Sequence, residues 1–275
     1  MIYVILALVL LLLLWVLALR CQRRELGFFG LSAYHFAHRG LHASSQGIPE
    51  NSLKAFQHAV DAGYGAELDV HLSKDGRLVV MHDENLLRMA KTDKNICDCT
   101  AAELESLRLE DTDEPIPYLE EVLPLFAGKT PLMIELKTCG NNYIALTRRV
   151  CNLLKRYPKL QFCIESFDPR TLLWLRKKHP EIVRGQLSCN LLKDRGRSTL
   201  PEALILRGLL MNFLTVPHFV SYRFEERNRP GMLLCRLLWG VQEASWTIRD
   251  DEALEKALNH GALIIFEHCR PELRN

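Results

Sequence analysis

Short apolar segments that end in charged side chains recur along this chain, and they constrain its fold more than any other feature. The first segment ends at His38-Arg39-Gly40, the second at Glu67-Leu68-Asp69 and the third at Glu135-Leu136-Lys137. In barrel enzymes, the ends of the strands carry the acids, bases and metal ligands of the site. The pattern therefore predicts strands whose ends converge on one site.

Strand-like and helix-like segments alternate along most of the chain. Tyr34 to Ala37 and Leu132 to Leu136 are typical of strands, whereas Ser52 to Ala62 and Tyr143 to Tyr157 are typical of helices. Alternation of strands with helices predicts a parallel sheet, and eight strand repeats predict that the sheet closes. A chain of 275 residues is long enough for one α/β barrel, which we expect over residues 34–275.

One strand repeat differs, because the interval 73–77 is too short for a parallel crossover. The Asp75-Gly76 pair within it is typical of a two-residue hairpin turn. In that register Asp69 faces His82 across the hairpin, and a bulge would shift the pairing by one residue. The hairpin thus predicts that His82 returns to the strand that carries the carboxylates.

Three carboxylates in this pattern indicate a metal site. Glu67 and Asp69 lie two residues apart on one strand and point the same way, and Glu135 at the end of the next strand can join them. Adjacent carboxylates repel unless a cation lies between them or one is protonated. Ordinary salt bridging would explain an isolated pair, but the matching strand ends favour a divalent metal, Mg²⁺ or Ca²⁺. His71 is a less favoured fourth ligand, since it lies nearer the turn.

The cysteines of the chain do not predict a second metal site. The chain has nine cysteines at irregular spacing, and Cys97-Asp98-Cys99 is the only close pair. No second pair and no histidines stand at the spacing of a zinc site. We therefore expect isolated surface or structural thiols, in keeping with a reducing compartment.

The first segment of the chain predicts a membrane anchor. Ile2 to Leu19 is eighteen residues without a charge, a proline or a glycine. As a helix it would span about 27 Å, close to the bilayer core of about 30 Å. A cleaved signal peptide would need a basic start and a small-residue cleavage site, and neither is evident. We therefore expect a transmembrane anchor over residues 1–20 and a linker over 21–33 before the barrel.

Charges near this segment predict its orientation and bear on the partners. Arg20, Arg23 and Arg24 follow the apolar run, so the positive-inside rule predicts a single-pass membrane protein with a cytoplasmic catalytic domain. The net charge of only +2, without a basic stripe that alternates with aromatic residues, argues against nucleic acid as a partner. The oligomeric state stays open.

The order of the motifs resembles that of the glycerophosphodiester phosphodiesterase family, of the bacterial type with an N-terminal anchor. Besides the three charged segments, the likeness includes Pro49-Glu50-Asn51-Ser52, Ser73-Lys74-Asp75-Gly76, His82-Asp83, Ser166-Phe167-Asp168 and Trp246-Thr247. It covers about residues 34 to 267. The resemblance implies a (β/α)₈ TIM barrel, a divalent metal, and hydrolysis of a phosphodiester to an alcohol and a phosphomonoester.

The resemblance also implies a role for each matching residue. The implied roles are metal ligation by Glu67, Asp69 and Glu135, acid–base catalysis by His38 and His82, phosphate binding by Arg39 and Lys137, and supporting or pocket-wall positions for Glu50 and Trp246. Which histidine is the acid and which the base stays open. The last strand departs from the Thr-Asp-x-Pro of many members, and Glu267 at that place receives no role.

The function that follows is metal-dependent hydrolysis of glycerophosphodiesters to an alcohol and glycerol 3-phosphate. An alternative is a lysophospholipase D-like activity on membrane lysolipids, because Leu204 to Phe213 is unusually apolar for a barrel exterior. Packing of that stretch against the barrel is the favoured explanation of its apolar character. A non-catalytic lipid-headgroup module is a third reading, but we would expect it to lack a histidine or carboxylate that this chain retains.

Overall fold

The computed structural model describes residues 1–23, 28–193 and 199–273, and nine strands lie within them in one sheet. They are β1 (Phe36–His38), β2 (Gly65–Leu72), β3 (Leu78–Val80), β4 (Leu132–Leu136), β5 (Phe162–Ser166), β6 (Arg184–Ser188), β7 (Phe219–Arg223), β8 (Gln242–Ile248) and β9 (Leu263–Phe266). Eight strands are parallel and close into a barrel, since β1 pairs with both β2 and β9. β3 pairs antiparallel with β2, outside the ring. The predicted barrel is therefore confirmed.

Helices follow most of the strands and cover the outside of the barrel. Those in the described residues are α1 (Ile2–Ala18), α2 (Leu53–Asp61), α3 (Leu87–Ala90), α4 (Ala101–Glu105), α5 (Leu119–Phe126), α6 (Tyr143–Leu154), α7 (Pro169–Lys178), α8 (Leu200–Arg207), α9 (Asn212–Thr215), α10 (Pro230–Leu234) and α11 (Asp251–Asn259). The barrel helices α2, α6 and α11 are amphipathic, whereas α1 is apolar all round. In α6, Leu146, Val150 and Leu154 recur at helical spacing and are buried against the outer face of the strands.

Side chains alternate along each strand and so separate two apolar layers. Ile134 faces the helices and belongs to the outer core, whereas Met133, Cys163 and Phe219 fill the interior of the barrel. A residue two positions after an interior side chain also points inward. Glu135, two residues after Met133, therefore faces the interior at the carboxyl end of β4.

Residues 78–118 form a small unit with its own apolar core. Val79, Met81, Leu86 and Ile96 are among its fully buried side chains. The unit contains α3 and α4, and α4 begins at a capping box of Thr100 and Glu103. This unit joins β2 to α5, so it lies next to the strand that carries two of the carboxylates.

The hairpin between β2 and β3 has a register that differs by one residue from the prediction. Val70 pairs with Val80, and the backbone N–H of Met81 donates to the Asp69 carbonyl at 3.1 Å. Met81 therefore lies opposite Asp69, and His82 follows one residue later. The turn contains three residues rather than two and places Gly76 at φ +88°, a conformation that glycine adopts without strain.

The N-terminal segment forms α1, but this helix ends after 17 residues. Leu19 is fully buried beside the barrel, and the Trp239 indole N–H donates to a carbonyl in the last turn of α1 at 3.2 Å. Within the described ranges, no helix combines the length and the apolar character that a membrane crossing needs. The predicted transmembrane helix of residues 2–19, the single-pass membrane placement and the cytoplasmic orientation are therefore wrong. Arg24, used for that orientation, lies outside the described residues.

Candidate active site

Three carboxylates converge on the neighbouring strands β2 and β4. Asp69 lies beside Glu135 in the register of these strands, and Glu67 lies beside His38 of β1. Glu67, Asp69 and Glu135 are exposed by only 3%, 1% and 6%, and one oxygen of each lies within 4.8 Å of the others. The group can hold a metal ion, and its oxygen-only chemistry suits a hard divalent cation.

Lys137 joins two of these carboxylates. Its Nζ lies 3.0 Å from Asp69 Oδ1 and 2.8 Å from Glu135 Oε1. Burial lowers the pKa of Lys137, but the charges of Asp69 and Glu135 outweigh this effect and raise it above its usual value. Lys137 is therefore a fixed cation at the site.

The three carboxyl groups differ in their preferred protonation state. Burial, together with the charges of Asp69 and Glu135, raises the pKa of Glu67 well above its usual value. Burial acts on Asp69 as well, but the Lys137 charge outweighs it and holds the pKa of Asp69 well below the usual range. Burial also raises the pKa of Glu135, although Lys137 opposes this shift. Lys137 and the nearby Arg39 thus bring two positive charges to three buried acids, which favours a further cation among them.

The His38 ring lies between two carboxylates. Its Nδ1 lies 3.4 Å from Glu267 Oε2, and its Nε2 lies 4.0 Å from Glu67 Oε2. An ionised carboxylate only accepts, so the contact with Glu267 requires a proton on Nδ1 and leaves Nε2 as the acceptor of a neutral ring. Burial lowers the pKa of His38 to about 4, although the Glu267 contact opposes this shift.

The His82 ring is held by its own neighbour in the chain. Its Nδ1 lies 2.7 Å from Asp83 Oδ1, and Arg88 Nε donates to Asp83 Oδ2 at 2.6 Å. The hydrogen bond from His82 is the main reason why the pKa of Asp83 lies far below its usual value. Asp83 therefore fixes the orientation of the His82 ring, as Glu267 does for His38.

Arg39 lies beside the carboxylates and is held in place by Glu50. Its backbone N–H donates to Glu67 Oε2 at 3.2 Å, and its Nη1 donates to Glu50 Oε1 at 2.9 Å. Arg88 Nη2 donates to the same Glu50 oxygen at 2.6 Å. Glu50 thus lies behind Arg39 and orients its guanidinium group.

These groups line one cavity of about 1110 Å³. His38, Arg39, Glu67, His82, Glu135 and Lys137 all contribute to its wall. Trp246 lines the cavity as well, with its ring edge-on to Phe167 at 6.2 Å and the Arg223 guanidinium 5.2 Å from the ring centre. The cavity has the size of a small-molecule site, and both charged and apolar side chains form its wall.

Sequence reasoning missed three residues of this region. Glu267 received no role, yet it contacts His38; Glu165, paired in register with Glu135, is 1% exposed and lines the cavity. Strand alternation would have placed Glu165 inside the barrel, two residues after Cys163. Asn51 received no role at the site, yet its Nδ2 donates to Asp69 Oδ2 at 3.0 Å, whereas the cap of α2 is Ser52, which accepts from the Ala55 backbone N–H.

Comparisons with known proteins agree on one family. The sequence pattern of the Glycerophosphoryl diester phosphodiesterase family matches residues 38–264. A glycerophosphodiester phosphodiesterase of Caldanaerobacter subterraneus subsp. tengcongensis is 30% identical over 235 residues, which cover 82% of this chain and 89% of that protein. Lysophospholipase D GDPD1 of Homo sapiens is 36% identical over 149 residues, which cover 50% of this chain and 44% of that protein.

A solved structure supports the same relationship. The phosphodiesterase of Oleispira antarctica, in complex with the product sn-glycerol-3-phosphate, aligns with a TM-score of 0.68 and 25% sequence identity. The alignment covers 85% of this chain and 92% of that one. The likeness therefore spans the whole barrel rather than one motif.

Proposed function

Because this chain belongs to the glycerophosphoryl diester phosphodiesterase family, and so is a phosphoric diester hydrolase, we propose that it cleaves glycerophosphodiesters to an alcohol and glycerol 3-phosphate. One observation carries the proposal: three buried carboxylates, two histidines and two fixed cations line or adjoin a single cavity. The product in the Oleispira antarctica structure is of the class that this reaction would release.

The carboxylates Glu67, Asp69 and Glu135 would hold a divalent cation, Mg²⁺ or Ca²⁺. The donor set fits such a cation, because all three ligands offer oxygen. Burial and repulsion among the carboxylates raise the pKa of Glu67, and a bound cation would offset this repulsion. When bound, such a cation offsets the negative charge of the phosphate and polarises its oxygens.

His38 and His82 would carry the proton transfers. Glu267 and Asp83 hold the Nδ1 atoms of the two rings, so each Nε2 is the atom left to take or give a proton. One ring would take a proton from the attacking hydroxyl group, and the other would protonate the leaving alkoxide. The same pair serves whether water attacks directly or the neighbouring hydroxyl of the glycerol attacks first and a cyclic phosphate follows.

Arg39 and Lys137 would bind the phosphate oxygens. Both side chains line the cavity, and both are held by carboxylates rather than by contacts that move freely. Their positive charge then meets the charge that develops on the phosphate without reorganisation of the site. Trp246 would form the opposite wall, where the alcohol moiety lies.

Release of glycerol 3-phosphate from a panel of water-soluble glycerophosphodiesters tests the proposal. The protein is treated with EDTA, dialysed, and assayed alone and with Mg²⁺ or Ca²⁺ added back. We expect activity to disappear with the chelator and to return with one of the ions. Turnover that persists unchanged after EDTA would contradict the metal mechanism, and no release from any member of the panel would contradict the substrate class.

A second candidate substrate is a lysolipid with one acyl chain. The apolar part of the cavity wall supports it, and this part contains Phe167, Leu187, Leu191, Leu206 and Trp246. The relative named lysophospholipase D supports it too. Leu206→Ser should reduce turnover of a micellar lysolipid several-fold and leave a soluble glycerophosphodiester unaffected. Leu204→Ser, on the same helix but 47% exposed, is the matched control; equal loss on both substrates would contradict this candidate.

A further inference from the structure

Three side chains outside the carboxylate site converge beside the cavity. Cys97 Sγ lies 2.7 Å from Cys139 Sγ, and Cys139 Sγ lies 3.6 Å from Glu84 Oε1. One potential ligand atom of each lies within 4.8 Å of the others. All three residues are partly exposed, so an ion can reach them from solvent. Glu84 also lines the cavity.

The backbone holds these residues in position. They come from three segments: Glu84 follows β3, Cys97 lies in the 3₁₀ turn Ile96–Asp98, and Cys139 follows β4. The backbone N–H of Ile96 donates to the Glu84 carbonyl at 2.9 Å, which joins the first two segments. The backbone N–H of Cys139 donates to Asn142 Oδ1 at 2.9 Å. The cluster is therefore built by the fold rather than by chance contact of mobile side chains.

The donor set is that of a thiophilic metal. We propose that Glu84, Cys97 and Cys139 bind a borderline or soft cation of the Zn²⁺ class, with water in the fourth position. The neighbouring trio offers oxygen alone and suits hard ions, so the two sites select different metals. Zinc–sulfur bonds of about 2.3 Å at tetrahedral angles place two sulfurs about 3.8 Å apart, so the partly exposed thiols part by roughly 1 Å on binding.

Charge supports the same assignment. Burial raises the pKa of Cys139 to about 12, and the neighbouring Cys97 and Glu84 add to this shift because negative charge on them would repel a Cys139 thiolate. A divalent cation offsets that repulsion. Binding of the cation by the two thiols releases two protons, so affinity rises with pH.

The adjacent cysteine does not belong to this cluster. Cys99 is buried, and its thiol donates to the Asn95 carbonyl at 3.3 Å. The close pair in the sequence is thus separated in space, whereas Cys97 and Cys139, 42 residues apart, are brought into contact. The expectation of isolated thiols holds for Cys99 and is wrong for Cys97.

Zinc binding by the reduced full-length chain tests the proposal. Mg²⁺ and Ca²⁺ are present at saturating concentrations so that they occupy the carboxylate trio. The zinc affinity of the protein is then measured by competition with a chromophoric chelator. We expect one Zn²⁺ per chain, and Cys97→Ser or Cys139→Ser to weaken binding by at least about tenfold. Cys269→Ser, at another partly exposed cysteine, should bind as the wild type does. Co²⁺ in place of Zn²⁺ should give a thiolate charge-transfer absorption that both cluster variants lose.

Each other outcome overturns the proposal. Equal zinc affinity of the wild type and both cluster variants would place the ion elsewhere. If the reduced wild type binds no zinc, the thiols are counted before and after exposure to a mild oxidant such as a glutathione disulfide. A loss of two titratable thiols would then assign Cys97 and Cys139 to a disulfide instead. Thermal unfolding of each variant, with Cys97→Ala and Cys139→Ala as second replacements, separates loss of folding from loss of ligands. These readouts do not need hydrolysis, so they remain informative if the proposed function fails.

Discussion

Glu267 Oε2 lies 3.4 Å from His38 Nδ1, at the end of the last strand of the barrel and beside the first. The contact fixes which nitrogen of the ring carries its proton, because an ionised carboxylate only accepts hydrogen bonds. His42, Arg249 and His268 also surround this carboxylate. Burial raises the pKa of Glu267, but the hydrogen bond from His38 and the Arg249 charge outweigh this effect and keep the pKa far below its usual value.

We expect Glu267→Gln to reduce turnover about tenfold with little change in KM, because a neutral amide no longer enforces one tautomer of His38. Steady-state kinetics on a soluble glycerophosphodiester measures both constants. Glu272→Gln, at an exposed position near the C-terminus, is the control. A variant at Glu267 with wild-type turnover would show that the contact with His38 plays no part in proton transfer.

We expect His38→Ala and His82→Ala each to slow turnover by about 10² or more, since each removes one partner in proton transfer. The variants should keep their affinity for the divalent metal, which calorimetric titration can measure, because neither imidazole belongs to the carboxylate trio. His58→Ala, on α2, provides a comparison. Activity near the wild type in either variant would remove that residue from the catalytic step.

Metal binding should also increase the thermal stability of the protein. A ligand that binds only the folded state stabilises it by about 2.7 kcal/mol at a concentration of one hundred times its Kd. We expect Mg²⁺ or Ca²⁺ to raise the melting temperature of the wild type, and Glu135→Gln to lose most of this rise. The isosteric change keeps the packing of a side chain that is 6% exposed. An equal rise in both proteins would place the ion elsewhere.

The interior of the barrel has no room for a side chain at Gly185. A Cβ at this position would lie 2.2 Å from the Phe219 ring on the neighbouring strand. We expect Gly185→Ala to lower the free energy of unfolding by about 1–3 kcal/mol, the usual cost of overpacking. Adding Phe219→Leu should recover part of that loss, which urea unfolding of the two single variants and the double variant can measure. If the changes in unfolding free energy of the two single variants simply add in the double variant, then the methyl group added at position 185 does not clash with the Phe219 ring.

His218, before β7, should make stability depend on pH. Burial, together with the Arg184 charge, lowers the pKa of His218 from 6.5 to about 4 in the folded chain. Between these values the unfolded chain binds more protons, so this contribution to stability is complete above pH 6.5 and is lost as the pH falls towards 4. The backbone N–H of Arg184 donates to His218 Nδ1 at 3.2 Å, a bond that needs the neutral ring.

We therefore expect His218→Gln to show a shallower dependence of unfolding free energy on pH between 4 and 6.5 than the wild type. Urea unfolding at a series of pH values measures it, and His260→Gln, at an exposed position, is the comparison. The same slope in His218→Gln and the wild type would contradict the assignment.

The barrel could be predicted from the sequence because its strands alternate with helices, and the convergence of Glu67, Asp69 and Glu135 because Glu67 and Asp69 share one face of β2 and Glu135 lies near the end of β4. The hairpin register could not, since a two-residue and a three-residue turn share the same Asp-Gly signal and only packing decides between them. The membrane helix was wrongly predicted because apolar length alone does not reveal that Leu19 packs against the barrel. Contacts between distant residues, such as Cys97 with Cys139, leave no local pattern at all.

The placement of His82 has a consequence for how this site can change. The ring strands β1, β2 and β4 supply the carboxylates and His38, but His82 follows β3, an arm outside the ring, and lies within the small unit that has its own apolar core. One histidine of the proposed acid–base pair is thus carried on a module that can be lengthened or exchanged without reclosing the barrel. A chimaera in which a relative's segment replaces residues 78–118 would therefore change the wall of the cavity and the histidine together.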